Sequence, residues 1–476
     1  MAPQEIKFGT DGWRGVIADD FTFGNVRRVA QGSAQYMKTR SSEPLAIVGY
    51  DCRFASEDFA QAVADVFAAN AIKALVFNRP SPTQVVSWTV IDRKATGGVA
   101  ITASHNPYQF NGYKYKTETG SAVPSEVIAE LERNINALDE VQPDRRSSRE
   151  LVTLYDPREP YYAQIARMVD LDGIKNAGLR IVHECMYGSG YGYIAEMTGG
   201  GRTTVTELHN QRNPLFGGLN PEPIPPNIDS TIAVMKAGGQ DLCICTDGDA
   251  DRVGIIDETG RFINQLQVFS LLMLYLFEMR GMRGPVVKTV NMTAMVDKMG
   301  AEFGERVYEV PVGFKNVAPK MMETNALLGG EESGGFAVRG HIPERDGILV
   351  GLLFADMMVK SGKTISQLLA GLEERVGPHA YARHDIHLPR DTYEADRKRV
   401  LETLEKNEPQ EVAGVPVQRV RADDGFKFYL ADGSWVLLRA SGTEPLIRVY
   451  SEAADADAVQ ARLRALEDIV GITQHV

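Results

Sequence analysis

At ~100–200 residues per domain, a chain of 476 residues holds three or four domains. Its hydrophobic content of 43% and charged content of 24% are those of an ordinary folded protein and exclude wholesale disorder. A formal net charge of −12 argues against a nucleic-acid partner, whose contact surface requires clustered Lys and Arg, but leaves an anionic small molecule open.

The N-terminal stretch MAPQEIKFGTDGWRG lacks the apolar core of a signal peptide, so a cytoplasmic location is the expectation. Leu45–Tyr50 reads as a buried strand and Glu57–Asn70 as the helix after it. Ala74–Phe77 and Gly98–Thr102 follow as strands, the latter ending at Ser104. This β–α–β alternation predicts an α/β domain with a largely parallel or mixed sheet. A polar stretch, Asp139–Glu150, is the first candidate linker. A second α/β unit has strands at Leu179–His183 and Asp241–Cys245 and closes on a hairpin over Ile255–Ile263. A third begins with an apolar helix near Gln265, whose oily run Val268–Phe277 is only about half the ~20 residues of a membrane span, so no membrane partner is expected. Its strands are Pro285–Val290 and Ala326–Gly329. After Arg375 an α+β pattern sets in, with strands at His384–Leu388, Gly414–Arg421, Gly425–Leu430, Trp435–Arg439 and Ile447–Glu452, and helices at Glu394–Glu405 and Asp455–Ile469. Cys52, Cys185, Cys243 and Cys245 form no CxxC pair and sit among apolar neighbours, as inert core thiols do.

Four short motifs carry chemistry. Thr102-Ala103-Ser104-His105-Asn106-Pro107 stands where a strand meets a loop. A serine exposed there can be esterified and so split one hard phosphoryl transfer into two easier ones; alone, the hexapeptide also reads as a polar turn. Asp247-Gly248-Asp249-Ala250-Asp251-Arg252 puts three carboxylates at alternate positions of a tight loop after a strand. Oxygen ligands in that number favour Mg²⁺ with room for a phosphate oxygen. An EF-hand is excluded, because its obligatory sixth-position glycine is Arg252 here, although Glu258 fits the twelfth. In Gly329-Gly330-Glu331-Glu332-Ser333-Gly334-Gly335, Glu and Ser can grip sugar hydroxyls while the glycines allow close backbone approach. In Arg439-Ala440-Ser441-Gly442-Thr443-Glu444-Pro445 and Arg448, guanidinium groups, hydroxyls and backbone N–H groups form a phosphate cradle that is not a Walker loop. Gly188-Ser189-Gly190-Tyr191-Gly192 is not GxGxxG, and the dispersed histidines lack zinc-ligand spacing.

Together these motifs, in this order and beginning with Phe8-Gly9-Thr10-Asp11-Gly12-Trp13-Arg14-Gly15, resemble the α-D-phosphohexomutase superfamily over nearly the whole chain. The resemblance implies three similar mixed α/β domains followed by a C-terminal α+β domain around a central cleft. The ranges are 1–150 for the phosphoserine domain, 151–263 for metal binding, 264–376 for the sugar and 377–476 for phosphate. It implies phosphoserine at Ser104, Mg²⁺ on Asp247, Asp249, Asp251 and a phosphate oxygen on Ser104, and Arg14 and His105 beside that phosphate. Lys114, in Asn111-Gly112-Tyr113-Lys114, matches the family's acid/base lysine; Glu331 and Ser333 match its sugar readers; Lys315 and the Arg439 loop match its grips on the non-reacting phosphate. Arg252 would help neutralise the transferring group. Arg345, in His341-Ile342-Pro343-Glu344-Arg345-Asp346-Gly347, stands where phosphoglucomutases often carry Lys. Arginine stays protonated, so Lys114 ranks first and His341 second for proton transfer, and Arg345 is assigned to charge stabilisation.

The activity implied is interconversion of glucose 1-phosphate and glucose 6-phosphate through glucose 1,6-bisphosphate. Position 335 is Gly where mannose and glucosamine enzymes of the family often have His. A dual glucose/mannose mutase is the near alternative. The alternatives from other classes are a metal-dependent phosphatase with Asp247 as nucleophile and a non-catalytic phosphosugar sensor. The first lacks a DxDx[TV] pattern, and the second should have lost Ser104 or an aspartate.

Overall fold

The computed structural model describes residues 4–9, 11–139, 141, 143, 148–440 and 445–472. Two compact units are present, one of Met1–Val287 with Gly313–Leu368 and one of Lys288–Val312 with Leu369–Val476.

The first unit opens on a six-stranded sheet in the order Trp13–Val16, Phe110–Lys116, Gly97–Ile101, Leu45–Tyr50, Lys73–Phe77, Val152–Tyr155. Its inner pairs are parallel, as β–α–β connections require. Phe110–Lys116 instead runs antiparallel to both neighbours, so the Ser104 loop is the connection between two antiparallel strands. The helices Phe23–Arg40 and Ser56–Ala69 bury Val26, Val29, Phe59, Val63 and Phe67 against this sheet. A five-stranded sheet follows, ordered Phe262–Ile263, Val253–Ile256, Leu242–Thr246, Arg180–Glu184, Thr204–Leu208. Its central strand is buried along its whole length, which is why Leu242–Thr246 reads as a continuous apolar run with no alternation. The predicted hairpin is present, with Ile255 opposite Ile263. A third α/β region contributes the antiparallel strands Leu328–Gly330 and Phe336–Val338 and the apolar helices Gln265–Leu274 and Gly347–Ser361.

The second unit is built on a six-stranded sheet of Ala380–His387, Leu446–Ala453, Trp435–Ala440, Phe426–Leu430, Val415–Arg421 and Glu411–Val412. Consecutive neighbours pair antiparallel, and the helices Tyr393–Lys406 and Ala456–Val470 cover one face. The segment Lys288–Val312, with the helix Met295–Phe303, belongs to this unit. Val290 and Ala294 pack on Trp435 and Tyr450, and Glu452 accepts hydrogen bonds from Thr293 Oγ1 (3.0 Å) and the N–H of Ala294 (3.1 Å).

All four cysteines are free and buried, as their apolar neighbours predict. Among the described residues no helix is long and apolar enough to cross a membrane. Half of the linker expected at 139–150 lies outside the described residues, and its last three positions belong to the short helix Ser148–Leu151.

Candidate active site

Ser104 follows the strand Gly97–Ile101 and lies in the left-handed region, with φ +51°. That conformation costs a non-glycine residue on the order of 1–3 kcal/mol and persists only where surrounding bonds hold it. Its N–H donates to Thr102 Oγ1 at 2.9 Å, and its hydroxyl donates to Asp247 Oδ2 at 2.7 Å.

The strand Leu242–Thr246 delivers Asp247, Asp249 and Asp251 into the same place, all buried, with one oxygen of each within 4.8 Å of the others. Gly248 is what lets the two loops meet. A Cβ there would lie 2.5 Å from the Ser104 carbonyl oxygen, closer than any side chain tolerates. The N-terminus of the helix Thr83–Asp92 holds the loop from one side: Thr83 donates through its hydroxyl to Asp249 Oδ2 (2.7 Å) and through its N–H to the Asp249 carbonyl (3.1 Å). Gln84 Nε2 donates to the Ala250 carbonyl at 2.8 Å. The Gly188–Gly192 turn serves the same loop, since the Ser189 N–H donates to Gly248 O at 3.0 Å.

Burial and the neighbouring Asp249 and Asp251 push the Asp247 carboxyl well above the usual carboxylate range. Burial acts the same way on Asp249, but Lys114 and the Thr83 hydroxyl outweigh it and hold that carboxyl low. Among the described residues, Asp249 Oδ1 and Asp251 Oδ1 are buried without a hydrogen-bond partner. Such oxygens are costly unless they have a ligand, and an all-oxygen set beside a serine hydroxyl fits a hard divalent cation such as Mg²⁺. A second cluster, His183, Cys185 and Glu207, contrasts with this. There both ring nitrogens of His183 are engaged, Nδ1 with Glu207 (3.2 Å) and Nε2 with Thr246 (3.2 Å), so its polar atoms already satisfy one another.

Cations balance the acids. Lys114 Nζ reaches Asp11 (2.7 Å), Asp249 (2.8 Å) and Asp251 (2.9 Å). Burial alone would lower its pKa; the three carboxylates outweigh burial and raise it, which favours the ammonium form. Arg345 bridges Asp11 (2.5 Å) and Asp251 (3.0 Å), approaches Glu331 at 3.6 Å, and has its guanidinium over the Phe314 ring. Behind it, Lys116 pairs with buried Glu344 at 2.5 Å. Arg14 donates to the Asn106 side chain, and Arg252 donates to Glu222 at 3.0 Å while its N–H bonds Asp247 Oδ1 at 3.1 Å. Burial, followed by the charges of Arg252, Arg14 and Lys114, drives the pKa of His105 far down, so this imidazole is neutral.

Models of the four phosphoglucomutase/phosphomannomutase domains match in order: α/β/α domain I at residues 5–142, domain II at 159–260, domain III at 264–376 and the C-terminal domain at 398–469. A phosphoglucomutase/phosphomannomutase of Thermococcus kodakarensis is 30% identical over 461 residues, covering 96% of each chain. The chain belongs to the phosphoglucomutase/phosphomannomutase family, within the α-D-phosphohexomutases. A phosphoglucosamine mutase of Carboxydothermus hydrogenoformans is 28% identical, over 98% of this chain and 99% of its own. A solved structure from Thermus thermophilus, provisionally named a phosphomannomutase, superposes with a TM-score of 0.86 at 33% identity over 99% of this chain and 100% of its own. The fold is accordingly that of three α/β domains and a C-terminal domain.

Within this phosphohexomutase, Ser104, Lys114, Asp247, Asp249, Asp251, Arg345 and Glu331 are brought together as described. Glu331 Oε1 also accepts the Gly313 N–H at 3.0 Å, beside the helix Phe314–Thr324 that carries Lys315. Ser333 lies in the turn between Leu328–Gly330 and Phe336–Val338. The second-ranked candidate for proton transfer is His341. Its Nε2 bonds Asp346 at 2.9 Å, and its ring stacks on Trp88 and meets Tyr161. In the second unit, Arg439 pairs with Asp424 at 2.8 Å and Arg448 approaches Asp385 at 3.5 Å. Ser441, Gly442 and Thr443 lie outside the described residues.

Sequence reading missed Asp11, Thr83, Glu222 and Arg53. Asp11 had a signal, since it sits three residues before Arg14 in the quoted N-terminal motif. Thr83 and Glu222 had none, because their partners lie 166 and 30 residues away in sequence.

Proposed function

We propose that this mutase interconverts glucose 1-phosphate and glucose 6-phosphate through phospho-Ser104 and glucose 1,6-bisphosphate. The observation that carries the reading is the Ser104 hydroxyl, 2.7 Å from Asp247 in a buried triad that leaves two carboxylate oxygens unpaired. Asp247, Asp249, Asp251 and an oxygen on Ser104 would hold Mg²⁺, which when bound neutralises charge on the phosphoryl group in flight. The protein's own part is positioning and further charge neutralisation. Arg14, Arg252 and neutral His105 are assigned to the phosphate on Ser104, and His105 can donate one hydrogen bond to a phosphate oxygen. Lys114, an ammonium at rest, is assigned as proton donor to the leaving sugar oxygen; the resulting amine takes a proton back from the sugar hydroxyl that attacks phospho-Ser104 in the opposite half-reaction. Glu331 and Ser333 read ring hydroxyls, and Lys315 with the Arg439–Thr443 loop and Arg448 are assigned to the second phosphate.

The glucose assignment is supported by a steric argument. A Cβ at Gly335 would lie 2.2 Å from Arg345 Cδ, so a side chain at 335 and this placement of Arg345 exclude each other. The histidine that mannose and glucosamine mutases often carry there is replaced by room for a guanidinium. The expected result is a kcat/KM for glucose 1-phosphate above those for mannose 1-phosphate and glucosamine 1-phosphate by ~10–200-fold, the range of one modest contact. Steady-state kinetics on the three sugar phosphates decide it; preference for either of the other two would overturn the glucose assignment while leaving the mutase reading intact.

A further inference from the structure

The loop that carries Ser104 is strained and polar, yet it is fixed in place. The residue that fixes it is Arg53, two positions beyond Asp51 at the end of the strand Leu45–Tyr50. Its side chain is 0% exposed. Nη2 donates to the carbonyl oxygens of Ser104 and Asn106, both at 2.6 Å, and Nη1 donates to those of Pro107 and Phe110, both at 2.9 Å. Four of the five N–H groups are thus spent on four main-chain carbonyls of one seven-residue loop. The fifth, on Nε, faces Asp51 at 3.2 Å without hydrogen-bond alignment. Asp51 is itself anchored, accepting from the Arg53 N–H (2.9 Å) and the Ser56 hydroxyl (2.8 Å), and the Phe216 ring covers the guanidinium at 4.8 Å.

A buried cation is costly, and a hydrophobic side chain of equal volume would fill this space without that cost. What the apolar side chain cannot do is bind four carbonyls of this loop and its flanking strand end at once. Lysine cannot do it either, since its three donors radiate from a single atom. We propose that Arg53 is a positioning residue for phosphoryl transfer: it sets the Ser104 loop in the one conformation that aims the hydroxyl at the Asp247 carboxylate. The inference rests on the reading of Ser104 as the phosphoryl acceptor. Arg53 touches neither substrate nor the reacting oxygen, so its removal moves the chemical step and leaves ground-state sugar binding in place.

The test uses full-length protein with Arg53→Lys and Arg53→Ala. Intact-mass spectrometry follows phosphate gain by dephosphorylated protein from glucose 1,6-bisphosphate in a single turnover, and steady-state assays give kcat and KM separately. Arg53→Lys is expected to phosphorylate Ser104 ~100-fold more slowly, the cost of a displacement near 1 Å. Its kcat should fall in parallel and its KM should stay within about threefold. Millimolar guanidinium should restore part of the rate to Arg53→Ala and none to Ser104→Ala. If Arg53→Ala does not fold, Arg53→Lys carries the test alone. A wild-type phosphorylation rate in Arg53→Lys overturns the inference. A kcat loss matched by an equal loss of folded protein also overturns it, because Arg53 would then act on the fold alone. Wild-type protein that gains no phosphate on Ser104 refutes the phosphoserine reading itself, and this inference with it, so the two failures are distinguishable.

Discussion

Two lysines of this mutase are buried to the same degree and end with opposite electrostatics. Lys114, in the first unit, touches Asp11, Asp249 and Asp251 and is driven up. Lys427, in the second unit, is pushed down to about 8, chiefly by burial. It donates to the Val290 carbonyl at 2.6 Å and to Glu309 at 2.9 Å, and it lies over the rings of Trp435 and Tyr429. Glu309 is also shared with Lys288 (3.6 Å), Arg421 (3.1 Å) and Tyr429. Desolvation opposes the ammonium in both places, so the number of carboxylates per cation decides the sign. The contrast also separates an acid-rich cluster from a balanced one. Around Lys114 acid is in excess and two carboxylate oxygens lack partners among the described residues; the one carboxylate that Lys427 touches, Glu309, is saturated by its neighbours.

The largest effect expected from that contrast is at Ser104. If the unsaturated cluster exists to serve this hydroxyl, Ser104→Ala should lower kcat by ~10⁴-fold or more, as removal of a covalent step does. Intact mass should show no phosphate gain from glucose 1,6-bisphosphate. Turnover at the wild-type rate would mean that the excess acid serves something else. Next in size is Asp249→Asn, which removes a carboxylate charge from both the proposed cation and Lys114. A kcat loss of ~10²-fold or more is expected with the fold retained. Added Mg²⁺ should raise the Tm of wild type and not that of the variant. Equal stabilisation of both proteins would detach Asp249 from the metal.

How much of this could be read from the sequence follows from the range of the contacts. Ser104 and the three aspartates were legible because each motif is contiguous and ends a strand whose apolar run is unmistakable. The strand Phe110–Lys116 was not, since FNGYKYK shows two lysines where a buried strand should show apolar residues. Both are buried only because Asp11, Asp249, Asp251 and Glu344 meet them there, and those partners lie over 100 residues away in the chain. Arg53 was hidden for another reason: its four acceptors are backbone atoms, which leave no side-chain signature. The packing of His341 was hidden too: its stacking partner Trp88 and its ring neighbour Tyr161 lie far from it in the chain. In the second unit the alternating strands were legible, but the grouping of Lys288–Val312 with Leu369–Val476 was not. That grouping depends on Lys427, Trp435 and Glu452 reaching back by more than 130 residues.

The smallest predicted effect isolates the second lysine. Lys427 has a folded-state pKa of about 8 against a reference of 10.5, so between those values the unfolded chain binds the proton that the native protein has released. Stability from this group therefore rises with pH across the window from about 8 to 10.5. At neutral pH the native protein instead carries a charge that burial disfavours. A pKa difference of one corresponds to about 1.4 kcal/mol, so the full swing is at most roughly 3 kcal/mol. Tyr429, raised by burial and by Glu309, keeps its proton in the folded state and works against stability above its ordinary value, which places the clearest reading below pH 10. Lys427→Met removes the titration while leaving Glu309 bonded to Arg421, Tyr429 and Lys288. Thermal denaturation of both proteins from pH 7.5 to 9.5 should show the wild-type Tm gaining on that of the variant by a few degrees. A constant difference across that range would mean that Lys427, like Lys114, is held charged by its carboxylate partner and that burial does not separate the two clusters.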